Sequence, residues 1–404
     1  MNRVRLLVAA VGGATSIACA PRADNSAPAR DYLYLWTASA DTTQPDFLAV
    51  LDVSEHGGRY GRLVTTLAVP GVMNFPHHTE HELPADRQLF ANGFGSGRTF
   101  VFDLTTPATP RIAAAFGDVD GFAHPHSFLR LGNGNVLATF QMTHAGGRMR
   151  TGGLVELTPA GVRVRSSSAD TPGADSGLRV YSAGIVPALD RIVTTSTDMD
   201  KDFFEPSRTL QVWKLSDLSL QTSISLPGPN GVLTAEPRLM DDGRTLLVST
   251  FSCGLFLVDR LDSNAPRATQ VSAFPRKEGT SCAIPVIVGH YYLVTVPAWS
   301  AVVSLDISNP KAPKEVSRVA FDSTDVPHWI SVSPDHRRVV VTGYASMQHT
   351  VQMLHFDANT GQLSRDTLFR EEGASAPGFR MDNKQWPHGG SAKGIPHGAV
   401  FSRR

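Results

Sequence analysis

Short apolar segments alternate with polar turns along almost the whole chain, and helical periodicity is almost absent. The segments are rich in Val, Leu, Phe, Thr and Tyr, a composition typical of β-strands. One unit recurs about every 40–45 residues: an apolar run that ends in Asp, a Pro-rich step and a second apolar run, as at residues 99–110 and 301–313. Repeats of about this length with four strands each are typical of a β-propeller.

The last apolar segment, residues 395–401, indicates how the repeats close into a ring. It begins with a Pro-His step, as do three earlier segments, but no turn and no partner segment follow it. We therefore expect an inner strand that completes a first blade built from residues 31–70, which removes the open edge of a linear array. The other blades are predicted at residues 75–117, 122–168, 177–226, 233–274, 281–321 and 327–370.

The predicted fold is an all-β, seven-bladed β-propeller over residues 31–404, closed by the C-terminal strand. Six or eight blades are the alternatives, because the fourth repeat, residues 177–226, carries an insertion and is poorly marked. The 35 glycines and 27 prolines are spread along the chain, which suits many short strands joined by turns.

Residues 1–20 have the pattern of a signal peptide, with Arg3 and Arg5 before a short apolar run and small residues after it. The run is too short for a membrane-spanning helix. Cys19 predicts a lipidated cysteine, with ordinary cleavage beside it as the alternative, and residues 21–30 predict a flexible tether. We expect an exported protein, periplasmic or held at the outer membrane, whose membrane contact is limited to that lipid anchor.

The charge balance and the cysteines narrow the class of protein further. The chain has 37 basic and 37 acidic residues, which argues against a nucleic-acid partner. Cys253 and Cys282 lie in the predicted propeller. Export would place them in an oxidising compartment, so a disulfide between them is expected, with free or metal-ligating thiols as the alternative. The oligomeric state does not follow from these features.

Four histidines and one glutamate occupy similar positions in different repeats. His78, His126 and His328 each lie eight residues before the following turn, Glu236 lies seven before its turn, and His397 follows a proline as His328 does. Since the inner strands of a propeller line one channel, these five side chains should meet near its axis. Imidazoles with one carboxylate suit copper, zinc, iron or nickel, so we predict a metal site with these five residues as ligands.

Three further histidines, His77, His81 and His124, neighbour the predicted ligands. Adjacent side chains of a strand point to opposite faces, so we expect these three to orient the ligands rather than to bind the metal. Which histidine of each adjacent pair is the ligand stays open at this point.

The long segment at residues 371–394 is rich in glycine, proline and polar residues and contains His388. A loop of this length is disordered or functional. Its position just before the closing strand predicts that it folds over one mouth of the channel. The candidate catalytic residues are His388, in this loop, and Glu236, as an acid/base group beside the predicted ligands.

Five segments carry a family likeness: residues 46–53, the pair His77-His78, and residues 123–136, 236–239 and 305–310. Through these segments the chain shows a resemblance to the selenium-binding protein family, whose bacterial members include copper-dependent methanethiol oxidases. It implies a seven-bladed propeller and, in the oxidase branch, a copper centre that oxidises a small thiol with oxygen.

Two departures qualify what the resemblance implies. Residues 80–83 stand where the family's animal members have a Cys-Ser-Ser-Cys stretch, so selenium binding is not expected. The Asp and Pro-rich repeat style is also similar to bacterial LVIVD-type propellers, which have no assigned chemistry.

Three functions are compatible with these features. The first is an exported propeller that binds copper, or zinc or another divalent metal, and oxidises a small thiol such as methanethiol. The second is a non-enzymatic surface propeller that acts as a binding or scaffold module. The third is a lactonase or other hydrolase, which needs carboxylates that are sparse at these strand starts. The first two differ in whether a metal is bound.

Overall fold

The computed structural model describes residues 30–55, 58–145, 148–170, 178–199, 207–343, 350–382 and 384–403. These residues form seven antiparallel sheets, each a blade, and the chain passes through the blades in order. The predicted seven-bladed β-propeller is therefore confirmed. The predicted signal peptide, residues 1–20, and most of the predicted tether lie outside the described residues.

The first four blades have four strands each. Blade 1 has β1 (Tyr32–Ser39), β2 (Phe47–Asp52), β3 (Arg62–Ala68) and, from the other end of the chain, β29 (Gly394–Phe401). Blade 2 has β4 (Pro76–Thr79), β5 (Gln88–Gly93), β6 (Arg98–Asp103) and β7 (Arg111–Phe116). Blade 3 has β8 (Phe122–Arg130), β9 (Val136–Ala145), β10 (Arg148–Leu157) and β11 (Arg163–Ser168). Blade 4 has β12 (Val180–Val186), β13 (Arg191–Ser196), β14 (Thr209–Lys214) and β15 (Leu220–Ser225).

Blades 5 and 6 also have four strands each, and blade 7 has five. Blade 5 has β16 (Thr234–Leu239), β17 (Leu246–Thr250), β18 (Gly254–Asp259) and β19 (Arg267–Ala273). Blade 6 has β20 (Pro285–Val288), β21 (Tyr291–Val296), β22 (Ala301–Asp306) and β23 (Lys314–Ala320). Blade 7 has β24 (Trp329–Val332), β25 (Arg338–Thr342), β26 (Thr350–Asp357), β27 (Gln362–Arg365) and the short β28 (Phe379–Arg380). Single helical turns lie at Pro187–Leu189, Pro229–Gly231 and Pro297–Trp299.

The C-terminal strand closes the ring. Strand β29 pairs with β1 in an antiparallel register that joins Leu33 to Phe401 and Tyr34 to Val400. The inner strands β29, β4, β8, β12, β16, β20 and β24 contact one another in this order around the axis, and β24 returns to β29. The ring is therefore closed, and β1 has a paired strand on both sides.

The apolar core lies between neighbouring blades rather than at one centre. Phe90 and Val101 of blade 2 pack with Phe128 and Phe140 of blade 3 in one buried cluster. Burial of such faces between sheets is the main stabilising term of this architecture. Within the described residues no helix is long and apolar enough to cross a membrane.

Five inner strands are irregular at the same level of the channel. In four blades the pairing of the inner strand with the second strand is interrupted, between Pro76 and Thr79, Pro125 and Phe128, Val180 and Ala183, and Thr234 and Pro237. In blade 1 the inner strand β29 pairs with β1, and this pairing is interrupted between Leu35 and Thr37 of β1. A bulge leaves backbone groups without ladder partners and redirects side chains. Each interruption falls beside residues that face the axis.

Polar side chains of the second strands satisfy these backbone groups. The Thr139 hydroxyl accepts a hydrogen bond from the Ser127 amide at 2.9 Å and donates one to the Tyr181 carbonyl of the next blade at 2.8 Å. Asn92, Thr195 and Thr295 form equivalent pairs of bonds in blades 2, 4 and 6. A ring of polar side chains thus joins successive inner strands around the channel.

A disulfide ties blade 5 to blade 6. It joins Cys253, in the turn between β17 and β18, to Cys282, just before β20, and their Cα atoms are 5.0 Å apart. Both cysteines are buried. The disulfide therefore fixes the chain just before the inner strand β20.

Candidate metal centre in the channel

Five histidines meet near the axis of the ring. Their nitrogen atoms form two overlapping groups, in each of which all potential ligand atoms lie within 4.8 Å of one another. One group is His77, His78 and His126, and the other is His77, His328 and His397. The structure thus brings together the four histidines predicted as ligands and adds His77.

The imidazole rings pack directly on one another. The centroids of His77 and His78 are 4.3 Å apart, and those of His77 and His397 are 4.1 Å apart. His126 lies 4.3 Å from His78, and His328 lies 4.6 Å from His397. The five rings therefore form one continuous cluster.

All five histidines are neutral near neutral pH. Burial lowers the pKa of His126 to about 3 and that of His328 to about 4. Burial, together with the neighbouring imidazoles, also holds the pKa values of His77, His78 and His397 well below the usual range. Neutral imidazole is the form that binds a metal ion, so the cluster is prepared for a cation without proton release.

Whether a metal ion suits this cluster can be judged from one ring nitrogen each of His78 and His126. The Nε2 atoms of His78 and His126 are buried and have no hydrogen-bond partner among the described residues. Their Nδ1 atoms instead face the Ser127 hydroxyl, at 3.4 Å and 3.1 Å. Since a buried polar atom without a partner is costly, these Nε2 atoms suit coordination to an ion, with Ser127 fixing the rings.

Glu236 borders the cluster rather than joining either histidine group. It is 1% exposed, and its Oε2 accepts hydrogen bonds from the Ser182 hydroxyl and from Nη1 of Arg238, both at 2.7 Å. Its Oε1 lies 4.0 Å from His78 Nδ1 and has no hydrogen-bond partner within the described part of the chain. Arg238 thus holds one carboxylate oxygen while the other faces the histidines.

Bulky rings enclose the cluster on its sides. The ring centroid of Tyr181 lies 3.9 Å from that of His126, and Trp329 lies 5.0 Å from His78. Burial, with the charge of Glu236, raises the pKa of Tyr181 well above its usual value, so its phenol stays protonated. These two rings cover His126 and His78, which are both buried.

The positions of His77 and His78 correct one expectation. Strand alternation predicts that only one of the pair faces the axis, but both rings lie in the cluster, stacked with an interplanar angle of 8°. The physical reason is the interrupted register between Pro76 and Thr79, which disturbs alternation at this pair. His77 is therefore a candidate ligand and not only an orienting group.

The other two histidines predicted to orient ligands lie outside the cluster. His81 stacks on Trp329, with centroids 4.2 Å apart, and its Nε2 faces Nη2 of Arg238 at 2.7 Å. Nδ1 of His124 hydrogen-bonds the carbonyl of Phe94 at 3.1 Å. His81 also helps to lower the pKa of His78. The ring of Phe94 contacts both His77 and His124.

The position of His388 is a second correction. Its Nδ1 hydrogen-bonds the Thr66 hydroxyl at 2.7 Å, and its ring packs on Phe47, so it lies on the outer part of blade 1. The neighbouring Trp386 is buried against the same phenylalanine. Burial of the indole holds this segment on the blade, away from the channel histidines.

Sequence reasoning missed three residues that shape the site: Tyr181, Arg238 and Ser127. Tyr181 lies eight residues before Leu189, at the end of the turn after β12, so the spacing that identified His78 could have identified it. This position was overlooked because the fourth repeat has a tyrosine there and not a histidine. Arg238 follows Glu236 on the same face of β16, and this i, i+2 spacing was a usable signal.

Comparisons with known proteins add to this geometry. No protein-family model matches the chain. A methanethiol oxidase from Hyphomicrobium sp is 27% identical over 219 residues, which are 49% of this chain and 48% of that protein. The chain thus matches about half the length of that relative.

The similar solved structures share the fold. A hypothetical selenium-binding protein from Sulfolobus tokodaii superposes with a TM-score of 0.75 at 16% identity, over 93% of this chain and 94% of that one. The periplasmic gluconolactonase of Pseudomonas aeruginosa superposes with a TM-score of 0.63 at 12% identity, over 93% and 99%. The first structure and the oxidase support the resemblance to the selenium-binding protein family. Neither bears on the LVIVD-type resemblance.

Proposed function

We propose that this protein binds copper through its channel histidines and oxidises a small thiol, such as methanethiol, with oxygen. The observation that carries the proposal is the buried pair of Nε2 atoms on His78 and His126, which have no hydrogen-bond partner among the described residues and face a crowded set of imidazoles. The likeness to a methanethiol oxidase supports the choice of chemistry.

The chain's own residues would hold the ion and control its surroundings. His78, His126, His328 and His397 would bind it together with His77, which both histidine groups share, and we propose one ion per chain. Imidazole ligands suit copper and zinc alike, and the choice of copper rests on the likeness to the oxidase. Copper, when bound, would supply the redox chemistry. Overall, methanethiol, oxygen and water would give formaldehyde, hydrogen sulfide and hydrogen peroxide, with the C–S bond broken and two electrons and two protons passed to oxygen.

Glu236 would balance the charge of the ion. Its carboxylate is fixed by Arg238 and Ser182, and its second oxygen faces His78 at 4.0 Å. A fixed negative charge beside neutral ligands stabilises a bound cation in a site that excludes water. Glu236 is therefore proposed as a charge partner and proton acceptor, and the direct ligands are the imidazoles.

We also propose that the protein is exported. The pattern of residues 1–20 supports this, and so does the disulfide between Cys253 and Cys282, since disulfides persist in oxidising compartments. Cys19 would carry a lipid that holds the protein at the membrane surface.

The assay for this function uses protein recovered from the cell envelope and loaded with copper. We expect methanethiol to be consumed with oxygen and hydrogen peroxide to appear, and we expect His126→Ala to reduce the rate at least about 100-fold because a ligand is lost. The exposed His355 of β26 supplies the matched control, His355→Ala, which should keep the full rate. Copper-loaded protein without thiol turnover would contradict the function, and protein confined to the cytoplasmic fraction would contradict export.

A further inference from the structure

A cavity of about 900 Å³ opens at the end of the channel where the inner strands of blades 2 to 6 finish. Its volume falls in the range of about 300–1,000 Å³ that is usual for small-molecule sites. None of the five cluster histidines lines it, so it is distinct from the metal centre.

The floor of the cavity connects it to the metal centre. His81 and Arg238 line the cavity. Arg238 donates to Glu236 Oε2 at 2.7 Å, and the other oxygen of Glu236 lies 4.0 Å from Nδ1 of His78. Two side chains thus separate the cavity from a cluster histidine. On the other side, His81 stacks on Trp329, which packs against His78.

The charges around the cavity cancel. Its charged lining residues are Glu80, Glu82, Asp86, Arg130, Arg238 and Arg403, which are three acids and three bases. Arg130 bonds Glu80 at 2.7 Å and Asp86 at 2.9 Å, and Arg238 bonds the buried Glu236. The guanidinium groups nearest the floor are therefore occupied by internal carboxylates, which leaves little attraction for an anionic ligand.

The rest of the wall is largely apolar. Phe128, Leu129, Ile185, Val286 and Ile287 line it. An apolar wall of this kind favours small apolar ligands and disfavours a charged one that would lose its hydration. The space also exceeds what a one-carbon thiol fills.

We propose that this cavity is the binding vestibule for the thiol and that it selects uncharged alkyl thiols, including chains longer than methanethiol, over thiols that carry a carboxylate. The inference rests on the proposed oxidation and names the substrate class and the approach to the metal centre. Ile185 and Ile287 are the specificity-determining positions, because both line the cavity and neither belongs to the histidine groups.

The test compares 1-propanethiol with 3-mercaptopropionate as substrates of the copper-loaded protein. The wild type should have at least about a 10-fold higher kcat/KM for 1-propanethiol, since the carboxylate loses hydration in the cavity. Ile185→Arg and Ile287→Arg should each raise the KM for 1-propanethiol at least about 5-fold and improve the use of 3-mercaptopropionate, with copper content unchanged. Leu368→Arg, at an exposed apolar position with 70% exposure, is the control and should behave as the wild type.

Binding measured without turnover separates this inference from the oxidase proposal. Saturation-transfer NMR on the metal-free protein should detect 1-propanethiol, and both cavity variants should weaken that signal. If 1-propanethiol binds in this way but neither it nor methanethiol is oxidised, the vestibule stands and the oxidase function fails. If it is oxidised while the two variants leave KM and binding unchanged, or if the anionic thiol is preferred, the vestibule is wrong and the thiol reaches the metal by another route.

Discussion

Single side chains carry the chemistry of the channel, and their protonation follows from burial. His78 and His126 keep a buried Nε2 without a partner among the described residues, and their other nitrogens face one serine hydroxyl. In the absence of an ion this arrangement costs free energy of folding. A bound metal offsets that cost, and we expect the folded protein to be more stable with the metal than without it.

The same burial predicts a pH dependence for the metal-free protein. Histidine in an unfolded chain titrates near about 6.5, whereas burial lowers the pKa of His126 to about 3 and that of His328 to about 4 in the folded state. The unfolded state therefore takes up protons first as the pH falls. The free energy of unfolding should decrease from about pH 6.5 downward to about pH 4, by up to about 1.4 kcal/mol per pH unit for each site.

Chemical denaturation at several pH values in this window measures the effect. His328→Gln removes one titrating group of the cluster and should flatten the slope by up to about 1.4 kcal/mol per pH unit. His336→Asn, in an exposed turn with a positive φ of 57° that asparagine tolerates, should keep the wild-type slope. If the free energy of unfolding changed with pH by the same slope in the wild type, His328→Gln and His336→Asn, the channel histidines would not resist protonation.

Whole strands determine where these side chains point. The spacing before each turn predicted that His78, His126 and His328 lie near one axis, and the Pro-His step predicted the same for His397. The structure brings these four together, because equivalent positions of repeated inner strands face the same channel. It did not place His77, because a bulge is a backbone feature that simple alternation does not show.

The second strands hold the bulged inner strands in position, and Thr139 shows the effect most directly. It joins the Ser127 amide to the Tyr181 carbonyl of the next blade. Thr139→Val keeps the shape of the side chain but leaves both backbone groups without this partner. We expect the free energy of unfolding to fall by about 2 kcal/mol or more and metal affinity to weaken, since Ser127 faces His78 and His126.

Urea denaturation and metal titration test this expectation. Thr367→Val, at an exposed position, is the matched control and should lose no more than about 0.5 kcal/mol. Equal stability of the two valine variants would mean that the ring of polar side chains does not stabilise the channel.

At the scale of the whole molecule, closure of the ring assembles the site. Strand β29 brings His397 from the end of the chain to histidines of blades 2, 3 and 7. This closure could be predicted because residues 395–401 are an apolar segment with the Pro-His step and without a partner of their own.

Two features of the whole molecule could not be predicted from the repeat pattern. The segment with His388 packs on blade 1 because burial of Trp386 against Phe47 decides its course, and a tertiary contact of this kind leaves no periodic signal. The fourth blade contributes Tyr181 instead of a histidine, so a search for repeated imidazoles passes over it. The fold was therefore predictable as a repeat, and the site only where each repeat contributes the same residue type.

The most direct test of the account is the metal content of the protein, measured by mass spectrometry after production in an oxidising compartment with copper and zinc both present. We predict about one copper ion per chain, lost in His126→Ala and in His397→Ala and retained in His355→Ala. Denaturation curves of the same samples show whether each variant is folded. A fully stable wild-type protein without metal, or full copper loading in both channel variants, would contradict the account.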